Sequence, residues 1–129
     1  MVGAARNLAY FPRQLLLLGQ PLFYWDDPDG YPDNMDFWAG TILSRWNFAS
    51  YLTSQQSPTG EVTFDVTALL ALGQPATITA QIEKMVFAGD MPAPLEGQVT
   101  AFLSTGTLSA DRVREAVSLA LSSNAFQWY

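Results

Sequence analysis

Glycines that end a helix-like apolar segment, and that are followed within three residues by proline or serine, divide this chain into short segments. Glycine readily adopts the left-handed conformation that commonly ends a helix, whereas proline and serine are favoured at helix starts. The pattern occurs four times, at Gly19, Gly73, Gly89 and Gly106. This repetition predicts an all-α domain, an orthogonal bundle of six or seven short helices.

Apolar residues that recur at steps of three and four indicate where these helices lie. The predicted helices are residues 2–10, 12–18, 37–54, 66–72, 76–88, 95–104 and 110–123. Asp65 and Ser109 are the expected N-caps of two of them. Residues 62–66 alternate as in a strand, but no second strand is available to pair with them. We therefore interpret that segment as the approach to a helix.

Residues 37–54 form the longest predicted helix, and few polar residues lie along it. Trp38, Ile42, Trp46 and Ala49 recur along one face. A helix that is apolar on most sides is normally buried. We expect this helix to be the central and most buried element, with the Trp46 indole in the core. The aromatic residues 126–129 are expected to pack back against the domain.

The composition limits the chemistry that this chain can perform. A length of 129 residues and a hydrophobic content of 49% suit one domain, residues 1–129, with a single core. The net charge of −6 argues against nucleic acid and anionic membranes as partners. The absence of cysteine and histidine excludes disulfides, thiolate nucleophiles, Ser-His-Asp triads and sites with His or Cys zinc ligands within this sequence.

The apolar runs of the sequence are short. None approaches the roughly 18 residues of a transmembrane helix, so we expect no membrane insertion. The four leucines 15–18 follow two arginines, but they are too few for the apolar core of a signal peptide. We therefore expect no signal peptide within this sequence.

An acidic and aromatic segment interrupts the helices between residues 20 and 35. Pro21, Pro28, Pro32 and Gly30 are incompatible with a regular helix or strand over so short a distance. The stretch 21–38 holds five of the eight aspartates and six of the seventeen aromatic residues. Large aromatic side chains favour burial, so we expect a long ordered loop that its aromatic residues attach to the core.

Several blocks of the sequence together resemble a known family. They are Gly19-Gln-Pro-Leu-Phe23, Pro28-Asp-Gly-Tyr-Pro-Asp33, Trp38, Leu43-Ser-Arg-Trp-Asn-Phe-Ala49 and the ending Leu121-Ser-Ser-Asn-Ala-Phe-Gln127. In this order they resemble the C-terminal part of the domain-of-unknown-function 1800 (DUF1800) proteins. Asn124 and Ala125 depart from the Pro-Glu of the family ending.

The resemblance implies a bacterial, usually exported and mainly helical protein that is several times longer than this chain. We therefore expect residues 1–129 to be a C-terminal fragment whose partner is the upstream part of a longer chain. Periplasmic or extracellular localisation is likewise what the resemblance implies. The family has no established activity, so the resemblance supplies no catalytic residues.

The residues of the acidic segment allow several kinds of site. Paired carboxylates can act as acid and base in glycoside hydrolysis, and the catalytic candidates are Asp26, Asp27, Asp33 and Asp36. Aromatic rings beside acids also suit a glycan-binding surface without catalysis, for which Trp25, Tyr31 and Trp38 are the candidates. The spacing of the aspartates fails the EF-hand pattern, so we assign no metal and no cofactor, although an irregular calcium site is an alternative.

Arg45 is an isolated charge in a very apolar helix. Such a guanidinium usually has a carboxylate partner. We predict a bidentate bond from Arg45 to Asp29, Asp33 or Asp36, which would attach the acidic loop to the helix. Asp29, Arg45 and the neighbouring Asn47 are therefore assigned structural roles.

Two functional hypotheses follow from these residues. The first is a non-catalytic helical binding or scaffolding module of an exported bacterial protein, with a glycan or an envelope protein as its partner. The alternative is a small glycan-active hydrolase that uses paired carboxylates between Asp26 and Asp36. Convergence of the aspartates on an open cleft would favour the hydrolase, whereas their pairing with Arg45 and backbone amides would favour the binding module.

Overall fold

A computed structural model describes residues 10–20, 36, 39–54 and 63–127 of the chain. Seven helices have both bounds within these ranges: α1 (Tyr10–Leu17), α2 (Ile42–Thr53), α3 (Thr67–Leu70), α4 (Pro75–Val86), α5 (Ala93–Ser104), α6 (Ala110–Ser122) and α7 (Asn124–Gln127). This described part contains no sheet, and Phe64 alone has the geometry of an isolated β-bridge. The all-α prediction is confirmed.

The glycines that the sequence marks as helix ends have the conformation that this role requires. All four have positive φ angles, between 69° and 97°. At the end of α1, the Gly19 amide donates to the Leu16 carbonyl at 3.1 Å, and the Gln20 amide donates to the Leu15 carbonyl at 2.8 Å. This pair of bonds is a Schellman motif, which satisfies carbonyls that the helix leaves without partners. The prediction of α1 was therefore correct at its C-terminal end, and the helix also includes Tyr10 and Phe11, which the prediction left outside it.

Two predicted N-terminal caps also have counterparts in the structure. The Ser109 hydroxyl accepts a hydrogen bond from the Arg112 amide at 3.2 Å, which confirms Ser109 as the N-cap of α6. Asp65 accepts a hydrogen bond from the Thr67 amide at 2.9 Å, one residue ahead of the N-cap position of α3. Hydrogen bonds from the hydroxyl and the amide of Thr67 lower the pKa of the Asp65 carboxyl. Both side chains therefore compensate backbone donors that have no partner within their helix.

The core lies between α4, α5 and α6, and α6 is at its centre. Helix α6 packs against α2, α3, α4, α5 and α7. Its inward positions Val113, Ala116, Val117 and Ala120 are at most 2% exposed. Two of these four are alanines, and small side chains allow neighbouring helices to approach the α6 backbone closely. Fully buried apolar residues of the neighbouring helices include Ile78 and Ile82 of α4 with Val99 and Leu103 of α5.

Helix α2 is not the central element that the sequence predicted. It begins at Ile42, and only Ala49 and Thr53 are buried on it. The Trp46 side chain is 45% exposed, so its assignment to the core was wrong. Helix α2 lies on the outside of α6, and Trp46 lies on its exposed face together with Leu43, Asn47 and Ser50. One face of α2 therefore packs against α6, and the other face contacts solvent.

The described residues include no helix that is both long enough and apolar enough to cross a membrane.

Candidate functional site

The end of α1, the middle of α2 and helix α7 meet around Arg45. The Arg45 Nε donates to the Thr41 hydroxyl at 3.1 Å, one turn earlier in the chain. Its NH1 donates to the Gln127 side-chain oxygen at 3.4 Å, and the Gln127 amide nitrogen donates to the Leu121 carbonyl at 2.7 Å. Burial lowers the pKa of the Arg45 guanidinium. Arg45 therefore connects α2 to the last helix through a glutamine.

An apolar cavity of about 240 Å³ lies beside this guanidinium. It is lined by Leu18, Arg45, Phe48, Ala49, Leu52, Leu121, Phe126 and Gln127. The Phe126 ring also makes an edge-on contact with the buried Phe87 ring, with centroids 6.0 Å apart. Residues 126 and 127 therefore pack back against the domain as predicted, whereas residues 128 and 129 lie outside the described part.

A second site surrounds the exposed Trp46 indole. A pocket of about 510 Å³ opens between Trp46, the start of α5 and the end of α6. Its lining includes Pro92, Pro94 and Leu95, the side-chain amides of Gln98 and Asn124, and Leu119, which is 39% exposed. We call it the Gln98 pocket.

A neighbouring pocket of about 440 Å³ shares the Trp46 indole as one of its walls. Its lining is Trp46, Phe102, Glu115, Ser118, Leu119 and Ser122, and we call it the Phe102 pocket. The Arg112 guanidinium carbon lies 4.9 Å from the centroid of the Phe102 ring, and its NH1 donates to the Phe102 carbonyl at 2.7 Å. These contacts hold Phe102 in position. We use "the Trp46 groove" for the two pockets together.

A polar cleft lies between α2 and the first half of α6. The Ser50 and Ser118 hydroxyl oxygens are 3.3 Å apart across it, and Arg114 forms an ion pair with Asp111 at 3.1 Å. Glu115 also lines this cleft. Within the described part of the chain, no three acidic side chains come together in a way that could hold a metal ion.

Most of the sequence-predicted site residues lie outside the described ranges. These are the catalytic candidates Asp26, Asp27 and Asp33, the ligand-binding candidates Trp25, Tyr31 and Trp38, and the structural candidate Asp29. Asp36 is an exposed helical residue, and Asn47 is exposed on α2. The pairing of Arg45 with an aspartate of the acidic segment therefore stays a prediction.

Sequence reasoning missed the residues that the structure brings together around Trp46 and Arg45. Gln98 and Leu119 lie 52 and 73 positions after Trp46 in the sequence, so no local pattern connects them to it. Asn124 stands where the resembling family ending has proline. A partial signal existed for Gln127, because it closes one of the matching blocks while Arg45 lies in another.

The comparisons with known proteins identify the family of the chain. No curated protein and no solved structure matches it. The model of a family described as "Protein of unknown function (DUF1800)" matches residues 1–128. The match covers the three helices that meet around Arg45 and all residues of the Trp46 groove, and it confirms the resemblance seen in the sequence blocks. The chain therefore belongs to the DUF1800 family.

Proposed function

We propose that this helical domain is a non-catalytic glycan-binding module of an exported bacterial protein, and that its ligand occupies the Trp46 groove. The observation that carries the proposal is the half-exposed Trp46 indole between two pockets. An indole on the surface offers a large apolar face, and burying it against a ligand is favourable. The apolar C–H face of a sugar ring matches such a surface.

The polar groups around the indole support an uncharged ligand with many hydroxyl groups. Gln98 and Asn124 are exposed, and each side-chain amide offers two donors and an acceptor. Sites of this kind combine apolar contact with a few polar groups that orient the ligand. The net charge of −6 also disfavours polyanionic ligands.

The groove supports binding more than hydrolysis. Among the described residues that line it, Glu115 is the one carboxylate. Hydrolysis of a glycosidic bond usually requires two carboxyl groups, about 5–9.5 Å apart. The alternative function, a hydrolase that uses Asp26, Asp27, Asp33 or Asp36, stays a prediction from the sequence. Incubation of the protein with an oligosaccharide, followed by mass spectrometry of the products, detects that activity directly.

Calorimetric titration with cellotetraose and with the tetramer of β-1,4-linked N-acetylglucosamine tests the binding function. Trp46→Ala is expected to weaken binding about tenfold or more, because the stacking surface is lost. Leu43→Ala is the matched control, because Leu43 is an exposed apolar residue of the same helix at 66% exposure. Equal loss in both variants, or no binding of either sugar, contradicts the proposal.

Export to the periplasm or the cell exterior is a separate part of the proposal. It is what the family resemblance implies, and it would place the domain among envelope glycans and envelope proteins. Fractionation of cells that express the complete gene with a C-terminal tag measures it. Recovery of the tag in the cytoplasm would exclude an envelope role while leaving the affinity for sugars unchanged.

A further inference from the structure

The two pockets of the Trp46 groove form one continuous surface. Trp46, Leu119 and Ser122 line both of them. Trp46 comes from α2, whereas Leu119 and Ser122 lie one turn apart on α6. The shared residues therefore separate two depressions that open side by side. Each depression falls within the range of about 300–1,000 Å³ that is typical of small-molecule sites.

The two pockets differ in chemistry. The Gln98 pocket carries the side-chain amides of Gln98 and Asn124 and an apolar wall of prolines. The Phe102 pocket carries a second aromatic ring and the exposed carboxylate of Glu115. One side of the Phe102 ring faces Arg112, and Phe102 also packs against the core, so the ring is held where it lines the pocket. A ligand that spans both pockets would meet amide groups at one end and a carboxylate acceptor at the other.

We infer that the Trp46 groove contains two sugar subsites, one in each pocket, and that the ligand is an uncharged oligosaccharide of at least two units. This inference rests on the proposed glycan-binding function. The Glu115 carboxylate accepts charge-assisted hydrogen bonds from hydroxyl groups of the second unit. Its negative charge also disfavours a uronic acid at that position.

Two linked units bind more tightly than either unit alone, because the second unit is held at high effective concentration once the first is bound. Affinity therefore rises from one unit to the length that fills both pockets and then levels off. The two pockets also respond differently to substitution. Gln98→Ala weakens the binding of short and long ligands alike, whereas Glu115→Ala weakens the binding of the longer ligands alone.

The experiment is a calorimetric series with cello-oligosaccharides and β-1,4-linked N-acetylglucosamine oligomers of one to four units. It uses the wild-type chain, Gln98→Ala, Glu115→Ala and the control Glu96→Ala, which removes an exposed carboxylate of α5 that lines neither pocket. Glu115→Ala is expected to reduce trimer affinity about tenfold, as for a hydrogen bond to a charged group, and to leave monomer affinity unchanged. Glu96→Ala is expected to have no effect on any length.

The outcomes separate this inference from the proposed function. Binding that depends on Trp46 but not on ligand length or Glu115 overturns the two subsites and leaves a single sugar site. Absence of binding to every oligomer overturns the proposed function as well. Sedimentation equilibrium provides a further test of the occupant. A dimer that Trp46→Ala converts to monomer would show that the groove binds a second copy of the chain, which overturns both proposals.

Discussion

Arg45 of α2 donates a hydrogen bond at 3.4 Å to Gln127 of α7, which lies 82 positions later in the sequence. Gln127 in turn donates to the Leu121 carbonyl near the end of α6. The contact joins two of the sequence blocks that resemble the family and connects α2 to the last described helix. A planar guanidinium holds such a geometry better than an ammonium, because its donors are fixed relative to one another.

Removal of this guanidinium should destabilise the domain. Arg45→Met is expected to lower the free energy of unfolding by about 1.5–3 kcal/mol, the range for hydrogen bonds to charged groups. If Arg45 also pairs with Asp29, Asp33 or Asp36, as the sequence predicts, the substitution would detach the acidic loop from α2. Residues 26–36 should then become more susceptible to proteolysis. Urea denaturation and limited proteolysis measure the two effects.

The control for this experiment is Arg13→Met, which removes an exposed arginine of α1. It should leave the denaturation midpoint within experimental error of wild type. An Arg45→Met protein that behaves like the Arg13→Met protein in both measurements would show that Arg45 is not needed to hold α2 and α7 together.

The position of the core can be tested with two substitutions to alanine. Ile78 of α4 is fully buried, whereas Trp46 of α2 is 45% exposed. Ile78→Ala should therefore cost about 2–5 kcal/mol, since it leaves a cavity among α4, α5 and α6. Trp46→Ala should cost clearly less than the roughly 3–5 kcal/mol of a buried tryptophan. Chemical denaturation measures the loss of unfolding free energy in each variant. A larger loss for Trp46→Ala than for Ile78→Ala would show that α2 is the central helix after all.

The N-cap of α6 is a local determinant of stability. The Ser109 hydroxyl accepts the hydrogen bond of the Arg112 amide, so Ser109→Ala should reduce the free energy of unfolding by about 1 kcal/mol. Thr107→Ala, in the exposed segment just before the cap, is the control and should have little effect. Thermal unfolding by circular dichroism measures both variants. A similar shift in melting temperature for the two would indicate that the hydroxyl of Ser109 contributes nothing specific.

Asp65 should make stability depend on pH. Hydrogen bonds from Thr67 lower its pKa in the folded chain below the ordinary value of 3.8. A group whose pKa is lowered by folding contributes stability that is fully present above the unfolded pKa and is lost as the pH falls through the folded pKa. The difference in unfolding free energy between wild type and Asp65→Asn should thus shrink as the pH falls below 3.8, the ordinary pKa of the carboxyl. A difference that stays constant between pH 6 and the acid limit would contradict the assignment.

Interactions within a few residues of one another were predictable from the sequence. The glycine ends of α1 and α5 and the serine cap of α6 depend on backbone conformations that Gly and Ser favour by themselves. Asp65 was identified for the same reason, because its bond to Thr67 spans two residues. These local preferences also explain why the all-α class could be inferred before any contact between helices was known.

The sequence by itself therefore determined the class of the fold and the limits of most described helices, because local hydrogen bonds and apolar periodicity decide them. Only the tertiary structure decided which helix is central. Periodicity shows that a face favours burial, but it does not specify which helix packs against that face. The small side chains of Ala116 and Ala120 allow the other helices to approach α6 closely, and α6 is the helix against which they pack. The exposure of Trp46, its meeting with Gln98 and Leu119, and the bond between Arg45 and Gln127 all follow from that packing.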